Sequence, residues 1–165
     1  MSNNTLLRKM MTYYEGDPKR IQHFLKVYEF SKLIGECEQL DENTQYTLET
    51  AAIVHDIGIK AAEKKYNSTS GKLQEQEGPS IAHDLLLSLG YKIELIDRVC
   101  YLVGHHHTYT DIMGMDYQIL VEADFLVNLY EDQVSLEAVA SAYENVFVTK
   151  TGKELCRTIF GLPQD

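Results

Sequence analysis

The sequence predicts an all-α fold, and three observations carry that prediction. Only three prolines, Pro18, Pro79 and Pro163, interrupt the 165 residues. Elsewhere apolar residues recur at three- and four-residue spacing, the period of a helix face rather than of a strand. Asp17-Pro18 and Asp41 stand where helix starts belong, and Gly58 and Gly90 where helices stop.

Taken in order, a short first helix over about residues 6–14 ends at Gly16-Asp17-Pro18. Asp17 then caps a second helix that carries Ile21, Phe24, Leu25, Tyr28, Leu33 and Ile34. Asp41 caps a third, from about residue 42 through Leu48, Ala51, Ala52 and Val54 to His55-Asp56, with Gly58 as its stop. Residues 61–77 turn polar, with Lys64-Lys65 and the run Gln74-Glu75-Gln76-Glu77, and lose any apolar period. They read as a loop or lid, because long irregular segments in compact domains are often functional. Gly78-Pro79 opens a helix to about residue 89, and another runs from about residue 93 to His105-His106-His107. After a loop over about 109–116, a helix over about 117–130 carries Asp124, an amphipathic helix covers about 136–147, and a last one about 152–160.

No linker or repeat divides the chain, so a single domain over residues 1–165 is expected, its motifs lying in about 18–130 and the C-terminal helices (about 135–160) packing on that core. Those helices either complete the core or pair two subunits, which leaves a homodimer open. Twenty-five acidic against fifteen basic residues, a formal charge of -10, argues against binding duplex nucleic acid. A small anionic substrate stays compatible with that charge once a divalent cation reverses the local field. Three scattered cysteines, no signal peptide and no apolar run of membrane length lead to the expectation of a soluble cytoplasmic protein.

Chemistry concentrates in a few residues. His55-Asp56 ends an apolar helix and offers an imidazole and a carboxylate side by side, a suitable pair for a divalent metal. His23, on the second helix, alone would pass for an ordinary core histidine. Asp124 would not, since Ile119, Leu120, Val121, Ala123, Phe125, Leu126 and Val127 surround it and a buried carboxylate needs a cation or a metal. Glu122 points roughly 160° away around the helix and is expected to be the exposed member of the two. His23, His55, Asp56 and Asp124 come from three helices that can meet in a bundle core, where such proteins build metal sites.

Arg20-x-x-His23, His55-Asp56-Ile57-Gly58, Gly78-Pro79-Ser80-Ile81-Ala82, Leu102-x-x-His105-His106 and Glu122-Ala123-Asp124 resemble, in order and spacing, the HD-domain superfamily of metal-dependent phosphohydrolases. That resemblance implies a helical bundle with His23, His55, Asp56 and Asp124 as ligands of one divalent transition metal (Mn, Fe, Co, Ni or Zn). Members with two metals add histidines. His105 and His106 fit the later of these positions, while Gln74 stands where the earlier histidine is expected. His83 is a substitute candidate, but it lies nine residues beyond Gln74, about 13 Å along a helix, and faces away from Ile81, Leu85 and Leu89. Glu75 or Glu77 offers an oxygen ligand or a general base, against the plain alternative of a solvated glutamate run.

Lys60 resembles the lysine that follows the His-Asp pair in the superfamily, displaced by one position, and would suit a phosphate oxygen. Lys72 and Tyr109 are further candidates for substrate contact. The function implied is metal-assisted hydrolysis of a small phosphorylated metabolite, a nucleotide being the first expectation, with Asp56, Lys60 and Glu75 as catalytic groups. The alternatives are a di-iron oxygenase of the same fold, which wants the full histidine set, and a non-catalytic metal- or nucleotide-binding module.

Overall fold

A computed structural model describes residues 3–163, which form nine α-helices and no strand among the described residues. In order they are α1 (Asn3–Tyr13), α2 (Pro18–Cys37), α3 (Glu42–Val54), α4 (Ile59–Tyr66), α5 (Gly71–Ser88), α6 (Ile93–Val103), α7 (Met115–Glu131), α8 (Leu136–Asn145) and α9 (Lys150–Phe160). The helix starts follow from local chemistry. Asp17 accepts from the Arg20 amide at 3.1 Å with Pro18 in the first turn, and Asp41 accepts from the Asn43 and Thr44 amides, each at 3.1 Å.

α3 and α7 are the buried helices on which the others pack. α2 lies against both, α1 and α6 cover α3, α5 pairs with α6 and α4, and α9 closes α7 beside α8. In α3 every residue of Thr50, Ala51, Ala52, Ile53 and Val54 is buried. In α7 all nine residues from Asp116 to Asp124 are buried, so this helix has no solvent face over that stretch. Truncating a core side chain such as Leu120, fully buried, to alanine costs about 2–5 kcal/mol.

The stretch expected to be a loop is helical. α4 ends at Tyr66, the left-handed backbone of Asn67 (φ 50°) turns the chain, and after four residues α5 begins at Gly71 and runs straight through Gly78-Pro79. Apolar period is replaced here by paired polar groups. Gln74 and Glu77 are both buried: Glu77 takes the Lys65 ammonium and the Tyr66 hydroxyl, the latter at 3.0 Å. Gly58 is not a left-handed helix stop; it lies in the turn between α3 and α4, where a Cβ would meet the Gln74 carbonyl oxygen at 2.5 Å and the Gly78 nitrogen at 2.8 Å. The turn carrying His55-Asp56 thus presses directly on α5.

Glu122 also departs from expectation. It is fully buried, and its carboxylate accepts from Gln118 Nε2 (2.8 Å), the Val148 and Thr149 amides (2.7 and 2.9 Å) and the Thr149 hydroxyl (2.5 Å). Four donors explain why it can be buried: it ties the α8–α9 connection onto α7. No helix among the described residues is long and apolar enough to cross a membrane.

Candidate metal centre

Four helix ends and faces converge on one point. α2 supplies His23, the turn after α3 supplies His55 and Asp56, α7 supplies Asp124, and the turn after α6 supplies His106 and His107. His23 Nε2 lies 3.2 Å from His55 Nε2, 3.3 Å from Asp56 Oδ2 and 3.2 Å from Asp124 Oδ1. His55 Nε2 lies 3.4 Å from Asp56 Oδ2 and 3.6 Å from Asp124 Oδ1. Ligand atoms about 2.0–2.2 Å from one tetrahedral cation sit about 3.3–3.6 Å from one another. The separations from His23 and His55, 3.2–3.6 Å, are close to the edges of such a shell.

The hydrogen-bond partners on the far side of each ring fix what faces inward. His55 Nδ1–H donates to the Ala52 carbonyl (2.8 Å), His106 Nδ1–H to the Val103 carbonyl (2.9 Å), and His23 Nδ1–H to Glu131 Oε2 (3.0 Å). In the neutral rings the Nε2 atoms of His23 and His55 therefore present lone pairs toward Asp56 and Asp124, and that of His106 toward Asp56 Oδ1, and such backing orients and strengthens imidazole ligands. Lone pairs and carboxylates converge, and the direct donor to Asp124 is Asn128 Nδ2 at 2.8 Å. A divalent cation resolves that crowding of acceptors, so the residues fit one.

Protonation follows the same logic. Burial alone would lower the pKa values of His23 and His55, but the facing carboxylates outweigh it, raising His23 and placing His55 well above its ordinary range. Burial would raise Asp56 and Asp124, yet the imidazoles hold both below the usual carboxylate range. Glu131 is also lowered, burial being overcome by Lys26 at 2.7 Å and by His23. Protons and a metal ion compete for the same nitrogens.

Asp56 faces two ways. Its Oδ2 points at His23 and His55, and its Oδ1 lies 3.4 Å from His106 Nε2. Asp56, His106 and His107 form a second group whose ligand atoms all lie within 4.8 Å of one another. Gln74 belongs beside it, with Oε1 at 3.1 Å from His107 Nε2. Burial and the neighbouring His106 push His107 down to about 4.

Other candidates fall elsewhere. His105 turns its Nδ1–H to the Tyr101 carbonyl (2.7 Å) and stacks on the Tyr101 ring, so His107 rather than His105 joins His106 at the centre. His83 is partly exposed beside Asp84, on the outside of α5. Lys60 points away from the centre: its ammonium donates to the Tyr13 carbonyl and lies over the Tyr13 and Tyr14 rings. Glu75 accepts from the His107 amide (2.9 Å) and the Thr108 hydroxyl (3.0 Å) and so holds the histidine turn in place. Lys72 is exposed, and Tyr109 reaches His107 Nδ1 with its hydroxyl at 3.4 Å while burial and Asp124 push it up to about 12.

Sequence reasoning passed over four residues. Asn128 and Glu131 follow Asp124 at four and seven residues, the spacing of one helix face, and that signal was available. His107 was one of three adjacent histidines in a turn, where no period ranks them. Tyr14, whose hydroxyl donates to the Asp56 carbonyl at 2.7 Å, carried no signal.

The centre opens into a cleft of about 380 Å³ whose wall includes Lys19, Arg20, Thr69, Gln74, His107 and Asn128. Arg20 is fixed there by Glu63 at 2.5 Å and Asp17 at 3.3 Å. A larger cleft of about 580 Å³, beside Tyr46, Tyr91 and Lys92, lies apart from this donor set.

Fold and site together define a helical bundle built around a cluster of histidines and aspartates that could hold a metal ion. The chain belongs to the HD domain family, whose model matches residues 20–142. Its fold is similar to the crystal structure of a predicted HD superfamily hydrolase from an uncultured Thermotogales bacterium, 23% identical in sequence with a TM-score of 0.65, the match covering 95% of this chain and 82% of that one. No curated protein matches the sequence.

Proposed function

We propose that the protein is a metal-dependent phosphohydrolase acting on a small phosphorylated metabolite, with nucleotides the first class to test. The observation that carries this reading is the shell of His23, His55, Asp56 and Asp124, whose inward atoms are all acceptors when the imidazoles are neutral, at the floor of a cleft that also holds Lys19 and Arg20. Such a shell would hold a divalent cation, which supplies polarisation of a phosphoryl oxygen and a lowered pKa for attacking water.

The chain's own groups do the rest. Glu131 holds the His23 ring with its Nε2 lone pair inward, and Asn128 fixes the orientation of Asp124. Arg20, immobilised by Asp17 and Glu63, keeps a guanidinium at the cleft wall for a substrate phosphate, with Lys19 beside it. Asp56, with its two oxygens facing different histidines, sits between two groups of ligands. Lys60 and Glu75, engaged elsewhere, take no direct part. A di-iron oxygenase would want imidazole where Gln74 offers an amide, which favours the hydrolase.

The test is metal analysis of the purified chain followed by a phosphate-release screen over nucleotides and sugar phosphates with Mn2+, Co2+, Ni2+ or Fe2+ added. Metal-dependent release of inorganic phosphate is the expected result. A fully metal-loaded chain that releases phosphate from none of them sinks the hydrolase reading in favour of a binding module.

A further inference from the structure

We infer that the substrate is a sugar monophosphate, with its phosphate at the histidine–aspartate cluster and its hydroxyls running outward along α7 to Asn128 and Asp132. The inference rests on the phosphohydrolase reading above and deepens it by naming the substrate class.

The cleft over the cluster holds about 380 Å³, at the small end of ligand pockets, which run from roughly 300 to 1,000 Å³. Among the described residues that line it, none carries a phenyl, phenol or indole ring, and Ile59, 9% exposed, is the one aliphatic side chain. A nucleobase gains its binding from an apolar or aromatic face, and this wall presents none. Tyr109 stands outside the lining with its ring edge-on to Phe125, the centroids 5.1 Å apart.

α7 supplies a row of polar groups instead. Asp124, Asn128 and Asp132 follow one another at four-residue spacing, so Asn128 lies about 6 Å and Asp132 about 12 Å along the helix axis from the carboxylate of the shell. Asn128 gives its amide nitrogen to Asp124 at 2.8 Å, which leaves its carbonyl oxygen to accept from a hydroxyl. Asp132, exposed at the end of the helix, offers a carboxylate, to which a hydroxyl makes a charge-assisted hydrogen bond. A sugar phosphate extends its hydroxyls away from its phosphate as these groups extend away from the shell.

Charge narrows the class to monophosphates. Lys19 and Arg20 serve one phosphate, and Arg20 is already shared with Asp17 and Glu63. Asp132, beside the Lys26-paired Glu131, occupies the outer α7 wall of the cleft, so a second or third phosphate reaching past Asn128 would meet like charge, whereas a hydroxyl would donate to it. Hydrolysis breaks the phosphorus–oxygen ester bond: water gives its oxygen to phosphorus and a proton to the departing sugar oxygen, yielding free sugar and inorganic phosphate.

AMP is ribose 5-phosphate with adenine in place of the anomeric hydroxyl, so initial rates of phosphate release from the two, measured on the Mn2+-loaded 165-residue chain, isolate the base. Ribose 5-phosphate or glucose 6-phosphate should exceed AMP and ADP in kcat/KM by about tenfold or more. AMP or ADP turned over as well as the better sugar phosphate overturns the inference. Asp132→Ala, a change at an exposed position, should lower the ratio of kcat/KM for that sugar phosphate to kcat/KM for methyl phosphate, which has no hydroxyl, by about tenfold and chiefly through KM. A ratio unmoved while both rates fall overturns the part assigned to Asp132, because a structural defect acts on both esters alike. Release of phosphate from none of these esters overturns the phosphohydrolase reading itself, an outcome distinct from a preference for AMP.

Discussion

Two buried carboxylates lie two residues apart on α7 and meet opposite surroundings. Glu122 accepts from four donors supplied by Gln118, Val148 and Thr149, and its charge is spent fastening the α8–α9 connection to the bundle. Asp124, on the other side of the helix, faces His23 and His55 nitrogens whose protons, in the neutral rings, are directed elsewhere, and takes a donor from Asn128. Burial alone does not distinguish them: one is fully buried and the other 3% exposed. What separates a structural carboxylate from a functional one is the polarity of its neighbours. Donors complete it, and acceptors leave it to be completed by a cation.

The largest effect should come from breaking the functional side. Asp124→Ala should strip the bound metal and reduce phosphate release by about 10²-fold or more, measured by metal analysis and initial rates. Activity persisting in a metal-free Asp124→Ala chain would overturn the assigned role. Breaking the structural side should do the reverse. Glu122→Ala leaves the Val148 and Thr149 donors unmatched and should cost about 3 kcal/mol or more, on the order of 10 °C in Tm, while still binding a full equivalent of metal below its melting point. Metal content that falls with Glu122→Ala as far as with Asp124→Ala would erase the distinction.

The smallest effect is a pH dependence confined to the Asp124 side. His23 and His55 have raised pKa values in the folded chain, so their ion pairs stabilise it fully below about 6.5 and that stability is lost as pH rises through the raised values. Asp56 and Asp124 are lowered, so their contribution is present above their ordinary range and lost only as pH falls through the lowered values. In chelator, the Tm should therefore decline on the alkaline side. With metal it should be maintained or rise there, since the ion replaces those protons. A flat alkaline limb for the metal-free chain would show that these histidines carry no extra proton.

Much of the fold was legible because α2, α3, α6 and α7 bury continuous apolar residues at helical spacing, and their caps are the side chains of Asp17 and Asp41 or nearby glycines. α4 and the first half of α5 were not. Their inward positions are Gln74 and Glu77, polar residues made compatible with burial by Lys65, Tyr66, Thr69 and His107, partners that only the folded chain brings near. The metal shell could be anticipated from Asp124, since a carboxylate inside an apolar run needs an explanation whatever lies around it. Choosing among three consecutive histidines could not, because they fall in the turn after α6, where helical register has ended. Glu122 was misplaced for the same reason as Gln74: the sequence shows polarity but not the donors that satisfy it.

The family match begins at residue 20, yet the floor of the site is held from outside it. Tyr13 and Tyr14, at the end of α1, donate their hydroxyls to the Ile57 and Asp56 carbonyls at 3.1 and 2.7 Å, and Lys60 fastens the same helix end through the Tyr13 carbonyl. Those bonds grip the backbone of the turn that aims Asp56. A fragment trimmed to residues 20–142 would keep every proposed ligand and lose that grip, so the smallest portable unit of this protein is larger than the signature by which it is recognised.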